Sequence, residues 1–119
     1  MNEQLSPHFS QREFACRCGC GAADMAPELI NVLEAARAHF GVPIIVVSGR
    51  RCEIHNRKQG GARASQHLLG TAADIKISTV SPADVAAYFE RTYPKQYGVG
   101  RYATFTHIDV RKIAARWRG

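Results

Sequence analysis

The sequence lacks a long apolar run and a leader-like start. No apolar stretch approaches the ~18–20 residues that a membrane-spanning helix needs, so we expect no membrane span. The first residues, Met-Asn-Glu-Gln-Leu-Ser-Pro-His, have neither a basic n-region nor an apolar h-region, so we expect no signal peptide and a chain that is cytoplasmic as made. No repeat, low-complexity tract or linker divides the 119 residues, which predicts a single domain over 1–119.

Acidic residues are the scarcer charge, with 10 Asp and Glu against 16 Lys and Arg, which gives a net charge of +6. This excess favours an anionic partner such as nucleic acid, a membrane surface or an acidic cell-wall polymer. The basic residues are scattered, apart from 50–51, 57–58 and 111–118, and few lie between aromatic residues. We therefore predict no nucleic-acid partner.

The four cysteines of the sequence are unevenly spaced. Cys16, Cys18 and Cys20 lie within five residues, whereas Cys52 stands alone. Structural zinc sites usually use C-x2–4-C pairs, so this spacing favours reduced thiols in a tight turn, or one bridge to Cys52, over a second metal site. The redox state of the four thiols stays open at this level.

Hydrophobic periodicity predicts a mixture of helices and short strands, which favours an α+β fold. The chain is predicted to begin with an irregular N-terminal arm over 1–24, which contains one helical turn at 10–14. A helix over 27–40, closed by Gly41, a buried strand over 42–48, a helical turn at 53–58, a strand over 73–78 and a helix from 81 to 93 follow. Strands over 97–101 and 105–111 precede a basic C-terminal tail over 112–119, whose Trp117 is expected to pack back onto the body.

Two histidines and one aspartate form a candidate metal set. His67 precedes Asp74 by seven residues, and His107 lies in a later strand. Two imidazoles and a carboxylate are a known ligand set for catalytic zinc, which keeps a fourth position open. If the aliphatic faces of both strands meet the helices, Asp74 and His107 emerge together on the open side of the sheet, and His67 can fold over from the preceding loop.

The chain also carries an ordered set of motifs that point to a family. In order they are Ser48-Gly49-x-Arg51, Asn56, Gly60-Gly61, Ser65-x-His67-x-x-Gly70-x-Ala72-x-Asp74, Gly98-x-Gly100 and Phe105-x-His107-Ile108-Asp109. Across residues 8 to about 111 this order resembles the M15 metallopeptidases, the D-Ala-D-Ala carboxypeptidase and phage endolysin group, whose fold is shared with the Hedgehog signalling domain. The resemblance implies a Hedgehog/DD-peptidase-like α+β fold, with a mainly antiparallel sheet, helices packed on one face and a zinc site on the other.

The resemblance also implies residue roles and a substrate. His67, Asp74 and His107 match the zinc ligands, Arg51 matches a group that binds or polarises the substrate, and Ser65 matches a residue near the bound peptide. The implied function is zinc-dependent hydrolysis of D-amino-acid-containing bonds in peptidoglycan stem peptides, by a D,D-carboxypeptidase or an L,D/D,D-endopeptidase. We expect a monomer, with release of a phage-encoded protein to the cell wall as one route to the substrate.

Two departures from the family pattern leave the general base open. Position 104, where relatives place an acid or histidine, is a threonine, and position 50, commonly tyrosine, is an arginine. Asp109 is the nearest alternative base, ~6.6–7 Å along the strand from His107. It could instead orient a ligand imidazole or pair with Arg111 or Arg101, and His55 is a further candidate base. Thr104 also leaves an alternative function, that of a non-catalytic, zinc-stabilised module that binds the cell wall or a partner.

Overall fold

The computed structural model describes residues 3–60 and 65–119, so Gly61 of the motif series lies outside the described residues. The described elements are β1 (Gln4–Ser6), β2 (Phe9–Ser10), a 3-10 turn (Gln11–Phe14), α1 (Pro27–Phe40), β3 (Ile44–Ser48), α2 (Glu53–Lys58), a second 3-10 turn (Gln66–Leu69), β4 (Ala72–Ile77), α3 (Pro82–Thr92), β5 (Gly98–Arg101), β6 (Thr106–Asp109) and β7 (Ala115–Arg118). None of the helices within these two ranges is long and apolar enough to cross a membrane.

The main sheet has five strands in the order β3-β4-β6-β5-β7. Neighbouring strands are antiparallel, except that β5 and β7 are parallel. The register places Asp74 of β4 directly opposite His107 of β6, and Gly100 of β5 opposite His107 on its other side. The predicted α+β architecture is confirmed, and the register places two candidate ligands side by side on neighbouring strands.

The core lies between one face of this sheet and the two long helices. Leu29 and Leu33 of α1, Phe89 of α3, Ile75 of β4 and Ile108 of β6 are each at most 1% exposed. The helix α1 ends as predicted at Gly41, whose φ of 71° is left-handed and therefore suits glycine. The polar residues that alternate with the core residues therefore lie on the other face of the sheet.

The first strand of the main sheet is less buried than predicted. Ile44, Val46 and Ser48 are buried, but Ile45 is 56% exposed and Val47 is 39% exposed. The apolar run was expected to be a buried strand. It lies instead at the edge of the sheet, and only alternate residues face the core.

Both chain ends are more regular than predicted. The N-terminal arm contains an antiparallel hairpin of β1 and β2, followed by the predicted helical turn as a 3-10 turn over Gln11–Phe14. The basic tail expected over 112–119 instead contains β7, which adds a parallel strand to β5. Its burial alternates, because Ala115 and Trp117 face the protein while Arg116 and Arg118 face solvent.

Glu34 of α1 binds the N-terminal hairpin to the body. Its carboxylate accepts hydrogen bonds from the Ser6 hydroxyl and from the His8 backbone N–H at 2.7 Å, and it lies 2.7 Å from His8 Nδ1. Partial burial alone would raise the pKa of Glu34, but the hydrogen bonds from Ser6 and His8 outweigh it and lower the pKa. The ionised carboxylate is therefore the form that stabilises the fold.

Replacing Glu34 with glutamine should lower the free energy of unfolding by about 1 kcal/mol near neutral pH, since a charge-assisted contact is lost. A depressed folded pKa contributes stability above the unfolded value, about 4.3, and that contribution disappears as the pH falls below it. Urea titrations of both proteins at about pH 7 and about pH 3.5 measure this difference. A difference that stays constant across that pH range would contradict the assignment.

Candidate metal centre

Three side chains from two strands and one turn converge on the open face of the sheet. Asp74 comes from β4, His107 from β6, and His67 from the 3-10 turn before β4. One ligand atom from each lies within 4.8 Å of the others, and all three residues are buried. Asp74 Oδ1 is 2.9 Å from His107 Nδ1 and 3.3 Å from His67 Nε2. The three residues predicted from the sequence are thus brought together around one point.

The hydrogen bonds of His67 leave one ring nitrogen for a ligand role. Its Nδ1 lies 2.8 Å from the Gly49 carbonyl oxygen, which can only accept, so Nδ1 carries the proton. The Nε2 lone pair then points to the side of Asp74. The backbone N–H of His67 donates to Ser65 Oγ at 3.2 Å, which fixes the turn that carries the imidazole.

His107 lies between two carboxylates. Its Nδ1 faces Asp74, and its Nε2 is 2.8 Å from Asp109 Oδ2. Burial would lower the pKa of His107, but hydrogen bonding to Asp109 and Asp74 outweighs it and raises the pKa. For Asp74, burial raises the pKa, and the adjacent imidazoles of His107 and His67 bring it down to about 2. A fixed anion between two imidazoles suits a divalent cation.

Asp109 is held from several directions and has no exposed surface. Its carboxylate accepts from the Gly98 backbone N–H at 3.1 Å and from Arg111 Nε and NH2 at 2.7 Å each. A Cβ on Gly98 would lie 2.4 Å from Asp109 Oδ2, so glycine is needed for this approach. Burial would raise the pKa of Asp109, but hydrogen bonds from His107 and Arg111 hold it well below its usual range.

Arg51 reaches the centre from the segment after β3. Its Nε donates to Ser48 Oγ at 3.2 Å, its NH1 donates to Asn56 Oδ1 at 3.2 Å, and its NH2 is 3.5 Å from Asp74 Oδ2. The backbone N–H of Arg51 also donates to the His67 carbonyl oxygen at 3.0 Å. The guanidinium is therefore fixed beside the three ligand residues.

The centre opens into a cleft of about 550 Å³. Arg51, Ser65, Gln66 and Arg111 contribute polar lining, and the aromatic lining comes from Tyr102, Phe105 and Trp117. Asp74 is the acidic residue among the described residues that line this cleft. Substrate could therefore reach the three ligands, Arg51 and Ser65 from one side.

An aromatic wall of Tyr102, Phe105 and Trp117 was not predicted from the sequence. The Trp117 ring lies 5.0 Å from His107, its Nε1 donates to the Tyr102 hydroxyl at 3.0 Å, and Tyr102 stacks on Phe105 at 4.4 Å. The predicted contact of Trp117 with the body is confirmed, but its place beside the centre depends on the parallel pairing of β7 with β5. No local pattern in the sequence signals that pairing.

Three further residues that the sequence singled out, Thr104, His55 and Arg50, do not line the cleft. Thr104 is exposed in the bend before β6. His55 lies on α2, is half-buried, and donates its backbone N–H to Cys52 Sγ. Arg50 donates to the backbone carbonyl of Arg51.

The donor set fits a catalytic metal centre. Two neutral imidazole nitrogens and one carboxylate oxygen leave room for a further ligand from the cleft, which is the arrangement of catalytic zinc sites. A comparison with protein families agrees, because the family model described as Peptidase M15 matches residues 7–109. A search of curated proteins found no match.

Proposed function

Because the chain belongs to the peptidase M15 family, we propose that it is a zinc-dependent peptidase that hydrolyses D-amino-acid-containing bonds in peptidoglycan stem peptides. The convergence of His67, Asp74 and His107 at the base of an open cleft is the observation that carries this proposal. The finer points, zinc as the metal and the cell wall as the substrate, rest on the donor chemistry and on the sequence motifs.

His67 Nε2, Asp74 Oδ1 and His107 Nδ1 are the atoms that would hold the zinc. When bound, zinc supplies a Lewis acid that activates water and polarises the scissile carbonyl. Asp109 acts as a positioning residue in this proposal, because it accepts the Nε2 proton of His107 and so directs Nδ1 towards Asp74. Its complete burial argues against the alternative role as general base.

Arg51 and Ser65 would handle the substrate. The Arg51 guanidinium faces the cleft and is fixed by Ser48 and Asn56, so it can donate to a developing oxyanion or to a substrate carboxylate without first being ordered. Ser65 lines the same cleft beside His67. Arg111 also lines the cleft, where its guanidinium is paired with Asp109.

The test is incubation of the zinc-loaded protein with purified peptidoglycan of several chemotypes, followed by mass spectrometry of the products. New peptide termini that vanish with a chelator and return with zinc would support the proposal. Their masses would also distinguish a carboxypeptidase from an endopeptidase. A variant that removes the charge of one proposed ligand, Asp74→Asn, has a matched control in Asp84→Asn, since Asp84 is exposed in the first turn of α3.

Thr104 supports a second candidate, a zinc-stabilised module that binds the cell wall or a partner without hydrolysis. Relatives place an acid or histidine at this position, whereas a threonine hydroxyl does not accept a proton near neutral pH. Stoichiometric zinc and pull-down on peptidoglycan, with no new termini on any chemotype, would favour this function over the peptidase.

Arg51→Lys should reduce hydrolysis about 100-fold while zinc content stays unchanged, because removal of one donor to a developing charge costs about that much. Lysine keeps the charge but loses the planar fork that bonds Ser48 and Asn56. Steady-state assays on a released stem peptide, with zinc measured on the same sample, provide the comparison. Arg57→Lys, at an exposed position on α2, is the control. An equal loss of hydrolysis in both variants would contradict a role for Arg51 in the site.

A further inference from the structure

A second group of potential metal ligands lies outside the candidate centre. Cys52, isolated in the sequence, joins Cys16, Cys18 and Cys20, and the four Sγ atoms all lie within 4.8 Å of one another. The Sγ atoms of Cys16 and Cys18 are 3.4 Å apart, and those of Cys18 and Cys52 are 3.6 Å apart. None of these four thiols, all within the described residues, is in a disulfide.

We propose that these four cysteines form a structural zinc site, separate from the His67, Asp74 and His107 centre. A tetrahedron of Zn–S bonds of about 2.3 Å has S···S edges of about 3.8 Å, close to the observed separations. Zn²⁺ would replace the four thiol protons, leaving four thiolates around one cation. From the sequence alone, the irregular spacing favoured free thiols or one bridge over such a site. The sequence does not show that Cys52 reaches the other three cysteines.

Packing does not explain why the four thiols converge. Free cysteines in folded proteins are usually buried, yet Cys18 and Cys20 are exposed and Cys52 is only half-buried. Apolar burial therefore does not hold these side chains together. A shared ligand accounts for the convergence, because metal–thiolate bonds need no surrounding core.

The backbone around the cluster fits thiolate ligands. The Cys52 N–H donates to Cys16 Sγ at 3.4 Å, and the His55 N–H donates to Cys52 Sγ at 3.4 Å. Such donors stabilise the negative sulfur of a thiolate. Gly19 and Gly21 have φ values of 84° and 91°, and these left-handed turns allow three closely spaced cysteines to share one side of the loop.

The position of the cluster suggests what the zinc would do. It ties the N-terminal segment to the segment after β3, and a 2.8 Å hydrogen bond from Arg50 N–H to the Phe14 carbonyl oxygen also joins these segments. A Cβ on Gly49 would lie 2.7 Å from Phe14 Cα, so the two segments are in close contact. The zinc would therefore stabilise the segment after β3, which carries Arg51.

The test counts zinc ions and thiols in the full chain, purified anaerobically from zinc-supplemented cells. We expect two zinc ions per chain by mass spectrometry of the metals, and four thiols titrated in denaturant with chelator. An organomercurial, which attacks thiolates, should release one of the two ions. Because the chain contains four cysteines in all, the thiol titration reports on this cluster alone.

Two variants separate the sites. Asp74→Asn should lower the zinc content from two ions to one, and the organomercurial should release the ion that remains. Cys18→Ser combined with Cys20→Ser should also leave one ion, now insensitive to the organomercurial. Both cysteines are exposed, so the change removes little packing, and circular dichroism checks the fold. Cobalt substitution of the Asp74→Asn protein should give the intense charge-transfer bands of thiolate ligation.

Three outcomes would overturn this inference. Fewer than four thiols, with no mercurial-sensitive zinc, would establish a disulfide. Four thiols without mercurial-sensitive zinc would establish packed thiols, and iron in place of zinc would overturn the choice of metal. A peptidase assay that fails leaves these counts unchanged, so this inference and the proposed function can fail separately.

Discussion

Asp74→Asn should lower peptide hydrolysis about a thousandfold or more, an effect comparable with losing one member of other catalytic constellations. The same variant should lose zinc from the His67, Asp74 and His107 centre. Asp74 Oδ1 is within 3.3 Å of both imidazoles, so its charge lies where the cation would bind. An amide of the same shape removes that charge and weakens the coordinating oxygen.

The measurement combines metal content, hydrolysis and thermal unfolding of the same preparations. Asp84→Asn introduces the same chemical change at an exposed position and should behave as the unmodified chain. If Asp74→Asn retained full activity and its zinc, the proposed ligand set would be wrong. If hydrolysis fell while zinc was retained, Asp74 would act on the substrate and not on the metal.

Much of this centre could be predicted because it depends on strand alternation. Ile75 and Ile77 are buried in the core, so Asp74 between Ala73 and Ile75 had to face the other side of β4. The same argument applied to His107 beside Ile108, and the observed register pairs the two residues directly. A period of two places a side chain on a face without knowledge of the tertiary fold.

The features that escaped prediction depend on contacts between distant segments. Trp117 reaches His107 only because β7 pairs in parallel with β5, and Cys52 reaches Cys16 only because the segment after β3 packs on the N-terminal turn. Local sequence carries little signal for either contact. The face of Asp109 was predictable and its pairing with Arg111 was one of the alternatives considered, but its complete burial and its fit against Gly98 were not.

Asp109→Asn separates the two roles considered for this carboxylate. We expect the affinity for zinc to fall about 10–100-fold, the cost of losing a partner that orients a ligand histidine. An asparagine amide can present its N–H₂ to His107 Nε2, so the proton on that nitrogen would no longer be fixed. Loss of the charge opposite Arg111 should also destabilise the fold by about 2 kcal/mol.

Activity at saturating zinc decides between the roles. If Asp109 positions His107, excess zinc should restore most of the turnover, and the pH profile should keep its shape. If Asp109 were the general base, turnover would stay low at any zinc concentration while zinc affinity was unchanged. Glu90→Gln is the matched control. The Glu90 carboxylate accepts a hydrogen bond from Arg101 Nε at 3.1 Å, and Glu90 does not line the cleft around the centre. It should lose stability without loss of zinc affinity, since it breaks an arginine–carboxylate pair that does not touch the ligands.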